Sequence, residues 1–164
     1  MSVEACKKVL AMLDQMNITY QIERHAAVFT IEDMENLQME HIDKVAKNLF
    51  VRDDKKRNYY LLVVQKDKSV NLKELQHQIG SRRLSFASED DLGRYLGLRK
   101  GEVSPFGILN DTNNAVTIII DKDLSSCDFI GVHPNDNTAT VWISVSGLAK
   151  VLETLNHEVK YISL

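Results

Sequence analysis

Two strand-forming runs, VAKNLFVR at 45–52 and YYLLVV at 59–64, stand either side of the polar stretch DDKKRN. That is the pattern of a β-hairpin. Along the first run Val45, Lys47, Leu49 and Val51 alternate with Ala46, Asn48, Phe50 and Arg52, so apolar side chains fall on both faces. A strand apolar on both faces needs covering layers on both sides, which points to a layered fold. Lys47 interrupts the pattern, because an ammonium inside a buried strand is costly without a partner. It reads in one of two ways: as an edge-strand lysine that reaches water and discourages edge pairing, or as a lysine held at a pocket wall to meet an anion.

The rest of the chain supplies the layers. Val9, Leu10, Leu13 and Met16 make one apolar stripe along Ser2–Met16, a helix, after which NITYQIERH alternates as a strand. Thr30 stands three residues before Asp33, a capping signal for a short helix in TIEDMENL. NLKELQHQIG has Asn71 as N-cap and Gly80 as terminator, and SEDDLGRYLG repeats that design from Ser88 to Gly97, with a short strand at Leu84–Phe86 between them. AVTIIID, CDFIGV and ATVWIS read as strands, SVSGLAKVLETLN as a helix and HEVKYISL as a last strand. Helices and strands do not alternate regularly, so the expected class is α+β: a single domain over 1–164 whose mixed, mostly antiparallel sheet is flanked by helices. At 164 residues and 44% apolar, the chain is large enough for a real core.

Several function classes lose support. No apolar run approaches the roughly 20 residues that span a bilayer, and MSVEACKKVL lacks the apolar stretch of a signal peptide, so no membrane association and a cytoplasmic location are expected. Cys6 and Cys127 are isolated, which argues against a disulfide framework. A net charge of −3 argues against coating nucleic acid through bulk positive charge, although basic residues bunch at Lys55–Arg57, Arg82–Arg83 and Arg99–Lys100. The phosphate-loop, dinucleotide, zincin and hydrolase-elbow motifs are absent. His25, His41, His77, His133 and His157 show no metal-ligand spacing, and no cofactor is expected.

Two stretches remain. In LRKGEVSPFGILN, Gly101, Pro105 and Gly107 crowd within seven residues of a chain that has two prolines and seven glycines. Such a loop is able to turn its main-chain N–H groups toward one point and hold an oxyanion, and it is equally the composition of a plain turn. The other proline, Pro134, fixes His133 in extended backbone ahead of a polar loop. By itself His133 reads as well as a hydrogen-bonded structural histidine as it does as a catalyst.

Taken in order, HAAVFT, KNLFVRD, GSRRLSFAS, LGLRKGEVSPFGILND, VTIIID and HPNDNTAT resemble the free-standing prolyl-tRNA editing proteins. These belong to the YbaK-like superfamily and are related to the editing insertion of bacterial prolyl-tRNA synthetase. The resemblance runs over nearly the whole chain. It places the KNLF lysine and its neighbour at Lys47 and Asn48, the GxxxP loop at Gly101–Pro105, and the HPxxN motif at His133–Asn137. Ala26 stands where many members have proline, and Lys100 where proline often precedes the loop glycine.

What the resemblance implies is a metal-free hydrolase that cleaves the ester of mischarged tRNA, with alanyl-tRNA(Pro) the substrate. Lys47, Asn48, Gly101 and His133 are then the catalytic set, with Val103, Ser104, Pro105, Phe106, Gly107 and Asn137 contacting substrate. Lys47 meets the terminal phosphate, the 101–105 amides face the scissile carbonyl, and His133 either orients water or binds the ribose. A sister deacylase for cysteine, serine or threonine, and a non-catalytic binding module for aminoacyl-tRNA or amino acid, stand as alternatives. The sequence leaves open the oligomeric state and whether prolyl-tRNA synthetase is a partner.

Overall fold

The two apolar runs pair in antiparallel register, Lys47 opposite Val64 and Val51 opposite Tyr60. They are central strands in a computed structural model that describes residues 2–164. In chain order the elements are α1 (Ser2–Gln15), β1 (Tyr20–Arg24), α2 (Ile31–Asn36), β2 (Ala46–Asp53), β3 (Tyr59–Gln65), α3 (Leu72–Ile79), β4 (Leu84–Phe86) and α4 (Glu89–Asp91). Then follow β5 (Val116–Asp121), β6 (Ile130–Val132), β7 (Ala139–Ile143), α5 (Val145–Thr154) and β8 (Val159–Ile162).

The strands form two sheets where one was expected. The larger has the order β4-β2-β3-β5-β8 and the smaller β1-β7-β6. Pairing is antiparallel throughout the smaller sheet and along β4-β2-β3, and parallel for β3 with β5 and β5 with β8. A single parallel bridge, Val45 to Gly131, joins the two at the start of β2. A methyl group on Gly131 would lie 2.5 Å from the Trp142 ring, so only glycine lets that indole lie across β6.

The apolar alternation of β2 and β3 now has its cause. Phe50, Leu61 and Val63 face a core that includes Val9 and Leu13 of α1, Val141 and Ile143 of β7, and Leu148, Val151 and Leu152 of α5. Val51, Leu62 and Val64 face the other way, onto Leu75 of α3 and Ile119 of β5. Full burial of each such side chain is worth about 1.5–3 kcal/mol. A third cluster, Val28, Met34, Val45 and Trp142, packs α2 and the preceding loop against the bridge.

The local caps follow the sequence. Thr30 and Asp33 close a reciprocal capping box on α2, Asn71 caps α3, and Gly80 ends it in the left-handed region. The segment expected as a helix up to Gly97 differs: α4 is a single turn, and Leu92–Leu96 continue as a π-helical turn. The wider turn keeps Leu92 and Leu96 buried while the Tyr95 ring packs at a tilt on Tyr59, their centroids 4.1 Å apart.

Candidate active site

Val45 and the first four residues of β2, Ala46 to Leu49, line a single cavity of about 240 Å³. Side chains of a strand alternate between faces, so an unbroken run lining a cavity means that the strand presents its edge. The pairing explains why. On its outer side β2 is bridged to β6 at Val45 and paired with β4 from Val51 onward, with the Phe50 carbonyl accepting from Ala87 N–H. Between these points no strand covers it. Residues of the same parity as Phe50 turn their main chain to that side, so Asn48 aims its N–H and C=O into the gap. Lys47 thus stands on an interior strand with a locally open edge, at the wall of a pocket. Lys47 is half-buried there, and no hydrogen bond or ion pair within the described residues engages its ammonium. Asn48 is likewise unspent, with its buried Oδ1 lacking a partner.

The opposite wall comes from two loops. Gly101 has φ +85, and a methyl built on it would lie 3.1 Å from both the Cα and the carbonyl O of Phe29, so the position requires glycine for conformation and for space. Within 101–107 the N–H groups divide into two sets. Those of Glu102, Phe106 and Gly107 are spent on the Arg99 carbonyl, the Ser104 Oγ and the Ser104 carbonyl. Those of Gly101, Val103 and Ser104 have no partner among the described residues, and of these Gly101 and Val103 line the cavity.

His133 completes the lining. Its Nδ1 lies 2.8 Å from the Ala139 carbonyl, and since a carbonyl only accepts, Nδ1 carries the proton and Nε2 is left with its lone pair. Burial pushes the imidazole below its ordinary pKa, against an upward pull from the Ala139 contact, with His25 pushing it down further and Asp136 opposing. The ring is therefore neutral at pH 7, a proton acceptor toward the cavity.

The cavity brings together Lys47, Asn48, Gly101, Val103 and His133 among the residues expected from sequence. Ser104, Pro105, Phe106, Gly107 and Asn137 do not line it; all five are buried behind it. Ser104 donates through Oγ to the His133 carbonyl, joining the two loops. Asn137 donates through Nδ2 to the Val28 carbonyl at 2.8 Å, and its own carbonyl accepts from Val28 N–H at 3.1 Å. Sequence reasoning gave no role to Val28, Phe29, Thr30, Ile31 and Met34, which form the remaining wall. The HAAVFT motif and the Thr30 cap marked their neighbourhood, but nothing in the spacing placed them opposite Lys47.

A second hollow, of about 620 Å³, is larger and lies on the β1–β7 side, lined by Trp142, Phe129, His41, Glu23, Glu40 and Asp128 among others. Three carboxylates around an aromatic floor repel a polyanion, and none of the unspent donors described above reaches it. No group of three or more His, Cys, Asp or Glu side chains among the described residues is placed to hold a metal ion. Among the described residues no helix is long and apolar enough to cross a membrane.

Comparison with known proteins shows the family and the fold. Residues 25–151 match the model of the aminoacyl-tRNA editing domain. The chain is 47% identical to the prolyl-tRNA editing protein ProX of Acetoanaerobium sticklandii over the full length of both. It is 34% identical to the prolyl-tRNA synthetase associated domain-containing protein 1 of Danio rerio, over 94% of this chain and 85% of that one. A crystal structure of a candidate trans-editing enzyme for prolyl-tRNA synthetase superposes with a TM-score of 0.73 at 16% identity, covering 98% of this chain and 97% of that one, which is likeness of fold.

Proposed function

Because the chain belongs to the aminoacyl-tRNA editing domain family, we propose that its cavity hydrolyses the ester joining a wrongly attached amino acid to tRNA, with alanine on tRNA(Pro) as the substrate. The observation that carries this reading is the convergence of an unpaired ammonium, two free loop amides and a neutral imidazole on one cavity of about 240 Å³.

Each group then has a task. Lys47 neutralises the phosphate upstream of the terminal ribose, which is where a half-buried cation without a partner gains most from an incoming anion. The Gly101 and Val103 amides face the carbonyl oxygen and stabilise the oxyanion as water adds; losing one such donor typically costs about 2.7–4 kcal/mol of transition-state stabilisation. His133 Nε2 accepts a hydrogen bond from the attacking water and orients it. The tetrahedral intermediate collapses by breaking the bond to the ribose oxygen, which takes up a proton, leaving free tRNA and alanine. The vicinal ribose hydroxyl lies beside the reacting carbon and shares in handling that proton.

Selection rests on size. A synthetic site shaped for proline rejects the smaller alanine weakly, since a missing methylene changes binding by only about 1–3 kcal/mol. A separate editing site, the cavity of about 240 Å³ walled by Val28, Ile31, Met34, Val45 and Val103, admits the small side chain and excludes the larger ring. Action on a finished tRNA places the protein with the translation machinery in the cytoplasm.

A deacylation panel tests this: tRNA charged with alanine, proline, cysteine, serine and threonine, each followed for release of the amino acid. Alanine is released and proline spared. Comparable hydrolysis of prolyl-tRNA contradicts the size argument, faster release of cysteine, serine or threonine reassigns the substrate, and protection of every ester makes the protein a binder.

A further inference from the structure

Among the large apolar side chains that the surface exposes, Val3, Phe29, Phe86 and Tyr161, one lines the cavity. Phe29 is 62% exposed, whereas Val28 and Met34 on the same wall are 2% exposed. The wall thus has a buried floor and an aromatic rim.

The rim is held in place. Phe29 N–H donates to Asp33 Oδ2 at 2.9 Å, which ties the residue to the cap of α2. The residue before it is strapped to Asn137 through two hydrogen bonds. From the other side Gly101 presses on its main chain, and a methyl there would also lie 3.2 Å from ring Cδ1. An aromatic ring left in water on a backbone fixed from three directions forfeits the gain of burial in the free protein. A planar apolar partner recovers it.

The size of the cavity says what that partner is. At about 240 Å³ it falls below the roughly 300–1,000 Å³ of pockets that enclose a whole drug-sized ligand. An aminoacyl-adenosine is a ligand of that size, so with the acyl group and ribose inside, the base lies outside, at the mouth. Aromatic side chains at such mouths bind bases by stacking, which every nucleobase satisfies through its π-face.

We propose that Phe29 is the platform for the terminal nucleobase of the substrate, stacking the base at the rim while the acyl group enters between Gly101 and His133. The assignment rests on the deacylase reading for the identity of the ligand, and its test is made by binding, so that the two stand or fall separately. The probes are 3′-alanylamino-3′-deoxyadenosine, whose amide resists hydrolysis, and its counterpart with hydrogen in place of the base. Wild-type protein binds the first more tightly. Phe29→Ala weakens binding of the adenosine probe by about tenfold, the range expected for one stacked base, and Phe29→Trp retains it. The preference for the probe with a base collapses in Phe29→Ala. Equal loss for both probes, or no loss for either, overturns the platform. Should wild-type protein release alanine from no charged tRNA yet show this Phe29-dependent preference, the deacylase reading falls and the platform stands.

Discussion

At Lys47 the cost of the site is visible in a single side chain. A half-buried ammonium that makes no ion pair or hydrogen bond among the described residues, with Asp67 acting on it only through space, is tolerated by the fold, not required by it. Lys47→Ala is therefore expected to leave the thermal midpoint unchanged or slightly higher, while kcat/KM for alanyl-tRNA falls by about 10- to 150-fold, the worth of one charge-assisted hydrogen bond at about 1.5–3 kcal/mol. A parallel loss of stability would mean that the lysine is structural. His133 makes a different prediction, in pH. Burial outweighs the opposing pull of the Ala139 contact and holds its pKa below the ordinary value near 6.5. The acceptor at Nε2 is available at neutral pH and disappears only once the ring is protonated. The acid limb of kcat/KM thus falls below pH 6.5, and His133→Gln lacks that limb. Linkage has the same sign: as pH drops below about 6.5 the unfolded chain takes up this proton before the folded one, so stability declines until the folded pKa is reached; it is level above about 6.5 and again below the folded pKa. A limb centred above 6.5 would assign the profile to another group.

Elements were readable wherever their determinants are local. Thr30 with Asp33, Asn71 with Glu74 and Ser88 with Asp91 each close a cap within three residues, and each was evident in the sequence. The π-helical turn after α4 was not: the Tyr95 it carries packs on Tyr59, supplied by another strand, and no local pattern shows that contact. The division into two sheets was also hidden, since alternation identifies a strand and says nothing of which strand pairs with it. The loop His133–Asn137 shows how one short element assembles the site: His133 faces the cavity, Asn135 Nδ2 holds the Phe106 carbonyl, and Asn137 straps the chain ahead of α2. Asn137→Ala leaves the buried Val28 carbonyl without its amide donor, which costs about 1–3 kcal/mol. The expected result is a lower denaturant midpoint together with a raised KM, because the strap sets the Phe29–Gly101 wall. Lost stability with an unchanged KM would make Asn137 a core residue and nothing more.

On the scale of the whole molecule, the cavity occupies the seam where β2 leaves the smaller sheet's bridge and has not yet met β4. Lys47, Gly101 and His133 come from three distant stretches, and composition left each with an ordinary structural explanation; only the ordered set of motifs joined them. The opposing wall depends on contacts such as Asn137 to Val28, 109 residues apart, which no local pattern encodes. A chain of net charge −3 that acts on a polyanion must also concentrate its few useful cations near this seam. Arg99 and Lys100 are exposed, precede Gly101 directly, and make no ion pair among the described residues, whereas Arg82 is held by Asp54. Each phosphate contact adds about 0.7–0.9 to the slope of log affinity against log salt. The Arg99→Ala, Lys100→Ala double variant is accordingly expected to flatten the salt dependence of kcat/KM on charged tRNA by about 1.4–1.8, with the loss greatest at low salt and little change in kcat at saturation. If the slope is unaltered, these two residues are plain surface, and the tRNA is guided by the acceptor end alone, through Lys47 and the rim around it.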